Sequence, residues 1–382
     1  MGLTFKECLL AGIPDDLPSP KSLDNSVPHA PIRPQVLSES EKILAIQNSL
    51  RYFPTEWHST LAPEFLQELE ELGHIYMHRF RPDYEIFARP IDEYPSNCLS
   101  AASVMLMIQN NLDPSIAQFP HELVTYGGNG SVFQNWAQYL IAIELLSKMN
   151  ENQTLVINSG HPLGLFPSNP DSPRVVISNG LVIPNYSTQL DYERMNALGV
   201  TQFGQMTAGS FMYIGPQGIV HGTTITLLNA ARNNDSKAKD LTGKIFVTAG
   251  LGGMSGAQPK AAVIAKGVCI VAEINPKATY KRHKQGWVDE VFADLDKLLD
   301  RAIIARERKE AVSLAYDGNI VNLWERIVER NIHIEIGSDQ TSLHNPWAGG
   351  YYPCDVSYTD ANEMMANHPN RFKKEVKRTL IR

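Results

Sequence analysis

The run Thr248-Ala-Gly-Leu-Gly-Gly-Met-Ser-Gly-Ala-Gln258 constrains the fold more than any other stretch of the chain. It follows Lys244-Ile-Phe-Val-Thr248, an apolar segment that reads as a buried strand, and it opens a helix at about Ala257–Lys266. Glycine between a strand and a helix permits a tight turn and a close approach of backbone N–H groups to an anionic ligand. Gly250 and Gly252 fit the glycine spacing of dinucleotide sites, whereas the third position holds Ser255, with Gly256 next. Glu273 ends the following strand, Gly267–Glu273, about 20 residues on, where an acid accepts hydrogen bonds from the ribose hydroxyls of NAD and disfavours a 2′-phosphate. A structural glycine turn beside a solvated glutamate is the competing reading of the same residues.

The surrounding texture supports a parallel sheet. After a helix at roughly His221–Arg232, strands and helices alternate. A long amphipathic helix is expected at about Trp287–Lys309, then strand Ala311–Tyr316, helix Ile320–Arg330 and strand Ile332–Ile336. Such β-α-β-α order gives strands covered by helices on both faces. Ligands of open parallel sheets bind beyond the strands' C-terminal ends. Two polar loops fall there: Asp317-Gly-Asn319-Ile320, and Ser338 through Asn345. Helix caps and turns explain such residues equally well.

The N-terminal part reads differently. Residues 1–37 are rich in Pro and Ser and are expected to be an extended arm. Ser38 and Glu41 form a capping box ahead of Ile43, Leu44, Ile46 and Leu50. A second helix is expected to carry Leu66, Leu69, Leu72, Ile75 and Tyr76, and a third Ala101–Asn110. From about residue 121, short apolar runs (Leu123–Tyr126, Thr154–Ile157, Arg174–Ser178) flank a helix at Phe133–Lys148. Tyr126-Gly-Gly-Asn-Gly130 is expected to follow a strand and precede that helix, either as a second close-approach loop or as a turn. The segments 204–210 and 213–223 are dense in small and polar residues and suit a binding surface. The division expected is 1–120 (arm and helices), 121–213 (first part of a core domain) and 214–382 (Rossmann-like domain).

Net charge −7 over 382 residues, with signs mixed along the chain, argues against a nucleic-acid surface. No run of about 20 apolar residues exists to span a membrane. Four widely spaced cysteines suggest reduced thiols and a cytoplasmic protein. No His/Cys ligand spacing indicates a metal. His161, His221 and His344 lie in loop or glycine-rich contexts open to structural or functional roles. An NAD-dependent dehydrogenase would need a substrate-side acid or base, and none stands out.

Taken together these strings resemble the urocanase family: Tyr-Gly-Gly-Asn-Gly (126–130), Phe-Gly-Gln-Met-Thr-Ala-Gly-Ser (203–210), residues 214–223, the glycine loop 248–258, Lys-Arg-His-Lys-Gln-Gly-Trp (281–287) and Asp-Gln-Thr-Ser-Leu-His-Asn-Pro (339–346). The helical N-terminal region resembles the longer eukaryotic-type members. The resemblance implies an α/β fold in which a Rossmann-like NAD domain is inserted into an α/β core domain, with a helical N-terminal extension. It implies addition of water to urocanate, giving imidazolone propionate in histidine degradation. Tightly held NAD+ would serve as an electrophile rather than a hydride carrier. The partners implied are urocanate and a second copy in a homodimer. Residue by residue it implies NAD+ contacts at Gly127 and Gly128, Gln205, Gly253, Met254 and Ser255, Glu273, Asn319 and Ile320, Gln340, Thr341, Ser342, Leu343 and His344, and Tyr351 and Tyr352. Bacterial members have an arginine five residues after the ribose acid, where this chain has Ala278. Family members return to the core domain after the NAD domain. The catalytic-loop residues are therefore expected beyond residue 382, and a truncated, inactive NAD-binding or dimerising form is the alternative expectation.

Overall fold

The computed structural model describes residues 3–24, 26–180, 188–204, 206–339 and 346–382. It divides into two compact units, 1–215 and 216–382.

The first unit is built on helices whose ends are fixed locally. Helix α1 (Phe5–Ala11) starts at a Thr4–Glu7 capping box, and α2 (Glu39–Leu50) starts at the expected box of Ser38 and Glu41. The arm is therefore not wholly extended: α1 interrupts it and buries Leu9 against α5 (Trp136–Lys148). Helix α3 (His58–Leu72) stops at Gly73, which is left-handed at φ 72°. A Cβ on Gly73 would meet the carbonyl carbon of Arg33 at 2.9 Å, so only glycine fits there. Ile75 and Tyr76 consequently lie beyond the helix expected to contain them. Further on, the Glu68 carboxylate accepts N–H bonds from Met77 (2.7 Å) and His78 (2.9 Å), and Met77 sits at φ 59°. Helix α4 spans Leu99–Leu112. Leu61, Phe65, Leu69, Met105, Ile108, Trp136 and Tyr139 form the centre of one apolar core.

Strands β1 (Val124–Tyr126) and β2 (Gly130–Ser131) pair antiparallel, so Tyr126–Gly130 is a hairpin turn and not a strand-to-helix loop. The helix after it begins at Trp136 and not Phe133, because Asn135 Oδ1 accepts the Gln138 N–H at 3.0 Å. Strands β3 (Gln153–Asn158), β4 (His161–Pro167) and β5 (Val175–Ser178) form a sheet of order β4-β3-β5. β4 was not foreseen, since Pro162, Gly164 and Pro167 disguise it. It is an antiparallel outer strand, the position where proline is tolerated. The unit closes with α6 (Gln189–Ala197) and the single turn α7 (Met206–Gly209).

In the second unit, α8 (Pro216–Asn234) precedes the alternating part. There follow β6 (Ile245–Ala249), α9 (Gln258–Ile264), β7 (Val268–Glu273), α10 (Pro276–Lys284), β8 (Glu290–Phe292), α11 (Leu295–Glu307), β9 (Val312–Asp317), α12 (Ile320–Glu329) and β10 (Ile336–Gly337). Helices α13 (Tyr358–Asn367) and α14 (Pro369–Ile381) complete it. The strands form one parallel sheet in the order β10-β6-β7-β9-β8. Alternate residues serve opposite faces. Ile245, Val247, Val268 and Ile270 pack with Leu298 and Leu323, while Phe246, Cys269 and Val271 pack with Leu227 and Ala262.

The long helix expected over 287–309 is instead strand β8 followed by α11. Asp294 Oδ1 accepts the N–H groups of Asp296 (2.9 Å) and Lys297 (3.0 Å), which fixes the helix start there. The last strand is also shorter than expected, with only Ile336 and Gly337 paired to β6.

Candidate functional site

From β6 the chain moves to β7 and on to the edge strand β8, comes back to place β9 between β7 and β8, and then crosses to place β10 on the other side of β6. Such a reversal leaves a crevice at the C-terminal strand ends, where open parallel sheets bind ligands. Glu273 and Asp317 are the last residues of β7 and β9, and the glycine loop, Asn319 and Ser338 follow the C-terminal ends of β6, β9 and β10. A cleft of about 390 Å³ runs along the β6–β10 side, lined among others by Gly218, Gly222 and Thr226 of α8, with Gln258 and Ser338. Gln258 is buried; its Oε1 accepts from the hydroxyls of Thr248 (3.0 Å) and Ser338 (3.2 Å), and its Nε2 has no partner among the described residues.

The glycine loop is shaped from both ends. Gly250 takes φ 91° and donates its N–H to the Ala272 carbonyl at 2.8 Å; a Cβ on it would meet Ser255 Oγ at 2.7 Å. A Cβ on Gly253 would meet nothing within 4 Å, so the backbone there borders open space. Met254 is exposed, and Ser255 opens the short turn into α9.

Arg282 is the residue that sequence reasoning missed. It projects from α10 and is 8% exposed. Its guanidinium donates to the carbonyls of Leu251 (Nε, 3.1 Å), Gly252 (Nη2, 2.6 Å) and Gly253 (Nη2, 3.4 Å), and to Gln285 Oε1 at 3.0 Å. The only hint in the sequence was its place in the string 281–287, which carries no local mark of a contact 30 residues upstream.

Glu273 closes the other side of the loop. Its carboxylate accepts the N–H of Leu251 at 2.5 Å and of Asn275 at 2.8 Å. Burial, reinforced by the neighbouring Asp317 carboxylate, raises its pKa above the usual carboxylate range despite those donors. Each oxygen already holding one N–H keeps a further lone pair for another donor. Asp317, across β7–β9, is likewise pushed up by burial.

Asn319 caps α12: its Oδ1 accepts the Val321 N–H (3.0 Å) and its Nδ2 donates to the Tyr352 carbonyl (3.1 Å). Ile320 is the first helical residue and packs partly into the core. The Tyr352 hydroxyl donates to Asn362 Oδ1 at 2.9 Å, and burial holds its pKa well above that of an ordinary tyrosine. Tyr351 reaches Asp339 Oδ2 at 3.2 Å. The structure thus gathers Gly253, Met254, Ser255, Glu273, Asn319, Ile320, Tyr351 and Tyr352 around the C-terminal rim of one sheet. Gly127 (φ 69°) and Gly128 (φ 81°) belong to the β1–β2 hairpin of the first unit, where Gly128 donates to Gln118 Oε1 at 2.8 Å. Gln205 and residues 340–344 lie outside the described residues. Among the described residues, no group of three or more His, Cys, Asp or Glu is arranged to hold a metal ion.

The Urocanase Rossmann-like domain matches residues 215–382, and the Urocanase N-terminal domain matches residues 86–212. The chain belongs to the urocanase family. It is 60% identical over 377 residues to a probable urocanate hydratase of Dictyostelium discoideum, covering 98% of this chain and 56% of that protein. It is 56% identical over 382 residues to the urocanate hydratase of Homo sapiens, with the same two coverages. A probable urocanate hydratase of Caenorhabditis elegans is 56% identical over 358 residues, 94% of this chain and 53% of that protein. The chain therefore spans about half the length of these urocanase relatives.

Proposed function

We propose that this protein is a urocanate hydratase that uses NAD+ to add water to urocanate, giving 4-imidazolone-5-propanoate in histidine degradation. The observation that carries this is the match of nearly the whole chain, at 54–60% identity, to proteins named urocanate hydratase. Those names favour it over a non-catalytic, dimerising NAD-binding form. The site fits the cofactor. Gly253 borders space that a diphosphate requires, the loop carbonyls are held back by Arg282, and the Glu273 carboxylate has lone pairs for two ribose hydroxyls. A carboxylate in that place repels the extra phosphate of NADP.

Gly253, Met254 and Ser255 would hold the diphosphate by backbone N–H groups, and Glu273 the adenosine ribose. Asn319 and Tyr352, tied to each other, would hold the rim beside it. Gly127, Gly128, Gln205, Ile320, Gln340, Thr341, Ser342, Leu343, His344 and Tyr351 are proposed as further contacts on the family pattern. When bound, the oxidised nicotinamide supplies an electrophile for the electron-rich substrate.

We also propose a cytoplasmic homodimer; the four unpaired cysteines suit a reducing compartment. Sedimentation and cell fractionation test these two points. The function is tested by following urocanate absorbance with purified protein and measuring retained NAD+ by mass spectrometry. Turnover supports the hydratase, and NADH formed from a hydroxy substrate instead overturns it.

A further inference from the structure

We infer that Arg282 is a positioning residue for the diphosphate loop. It turns three successive carbonyls inward and so presents the loop's amides to a diphosphate. Peptide planes are rigid, so the direction of each carbonyl fixes the direction of the N–H on the same plane. The carbonyls of Leu251, Gly252 and Gly253 share their planes with the amides of Gly252, Gly253 and Met254. One guanidinium bonds all three carbonyls, at 3.1, 2.6 and 3.4 Å. The amides of the same planes must then point away from Arg282, and beside Gly253 there is open space. Lysine has no planar fork and cannot reproduce this spread of donors.

Gly256 belongs to the same device. A Cβ on it would lie 2.8 Å from Cζ and 3.0 Å from Nη2 of Arg282, so the guanidinium occupies the place of a side chain at 256. That is why the glycine of this loop stands one position later than the dinucleotide pattern asks: the chain needs it for the arginine behind the loop, not for helix–strand packing.

This rests on the cofactor reading, and the test separates the two. Calorimetric titrations of the whole chain with NAD+, ADP and adenosine compare the wild type with Arg282→Met, Arg282→Lys and Gly256→Ala. Each folded variant is expected to lose about tenfold or more in affinity for NAD+ and ADP, the scale of one or two hydrogen bonds to a charged group, with adenosine changed less than about twofold. The double variant Arg282→Met/Gly256→Ala is expected to lose no more than either single one, as for residues acting through one contact. A residue that only props up the fold would weaken ADP and adenosine alike. Equal loss for both ligands, or ADP affinity retained in the folded variants, overturns the inference. If Arg282→Met fails to fold, Arg282→Lys and Gly256→Ala decide it. A wild type that binds none of the three ligands sinks the cofactor reading itself.

Discussion

Two glutamates show how single residues are tuned by where the fold puts them. Glu273 was legible in the sequence because its position relative to the glycine loop is a matter of counting. Its double load of backbone N–H groups was not, because Leu251 and Asn275 reach it only after the strands pair. Glu273→Gln keeps the shape but gives up one acceptor and the charge. It is expected to weaken NAD+ binding by about 1–3 kcal/mol in calorimetric titration. Glu68 carries no such signal. It is an ordinary-looking residue of α3 that ends up partly buried, and the loss of water around its carboxyl raises its pKa from 4.5 to about 7. The folded state then holds a proton that the unfolded state has released between those values, so stability falls as pH rises through that window. In melting scans the wild type is expected to lose up to about 1.4 kcal/mol per pH unit there relative to Glu68→Gln, whose unmatched N–H is a cost independent of pH. Parallel slopes for the two proteins would refute this assignment.

Elements announced by local chemistry were legible; those held by distant partners were not. The start of α2 follows from Ser38 and Glu41, three residues apart, and β6, β7 and β9 from continuous apolar runs that only a sheet covered on both faces can bury. Strand β8 had no such sign. Its three residues lie in a stretch whose apolar spacing suits a helix, and it is fixed from outside. Arg301 on α11 donates to Glu290 at the head of β8 (2.8 Å) and to Glu310 ahead of β9 (2.7 Å), while Asp289 accepts the N–H and hydroxyl of Ser313. Arg301→Met is expected to lower stability by about 1 kcal/mol, after allowance for solvent screening of partly exposed groups. The loss should show as a lower melting temperature and faster amide exchange at Val291. Unaltered exchange there would mean that β8 is held by its strand pairing alone.

At the scale of the molecule, each unit encloses its own apolar core, one centred on Phe65, Met105 and Trp136, the other on the two faces of the parallel sheet. Residues 216–382 expressed alone are therefore expected to melt cooperatively and to bind ADP within about threefold of the whole chain's affinity, since packed domains fold as units. A broad, non-cooperative transition would show that the second unit needs the first. The parallel sheet ends in strands of only two residues, β10, and three residues, β8. Stubs this brief offer another chain almost no ladder to extend. Extension of this sheet by the backbone of a neighbouring molecule is thereby disfavoured.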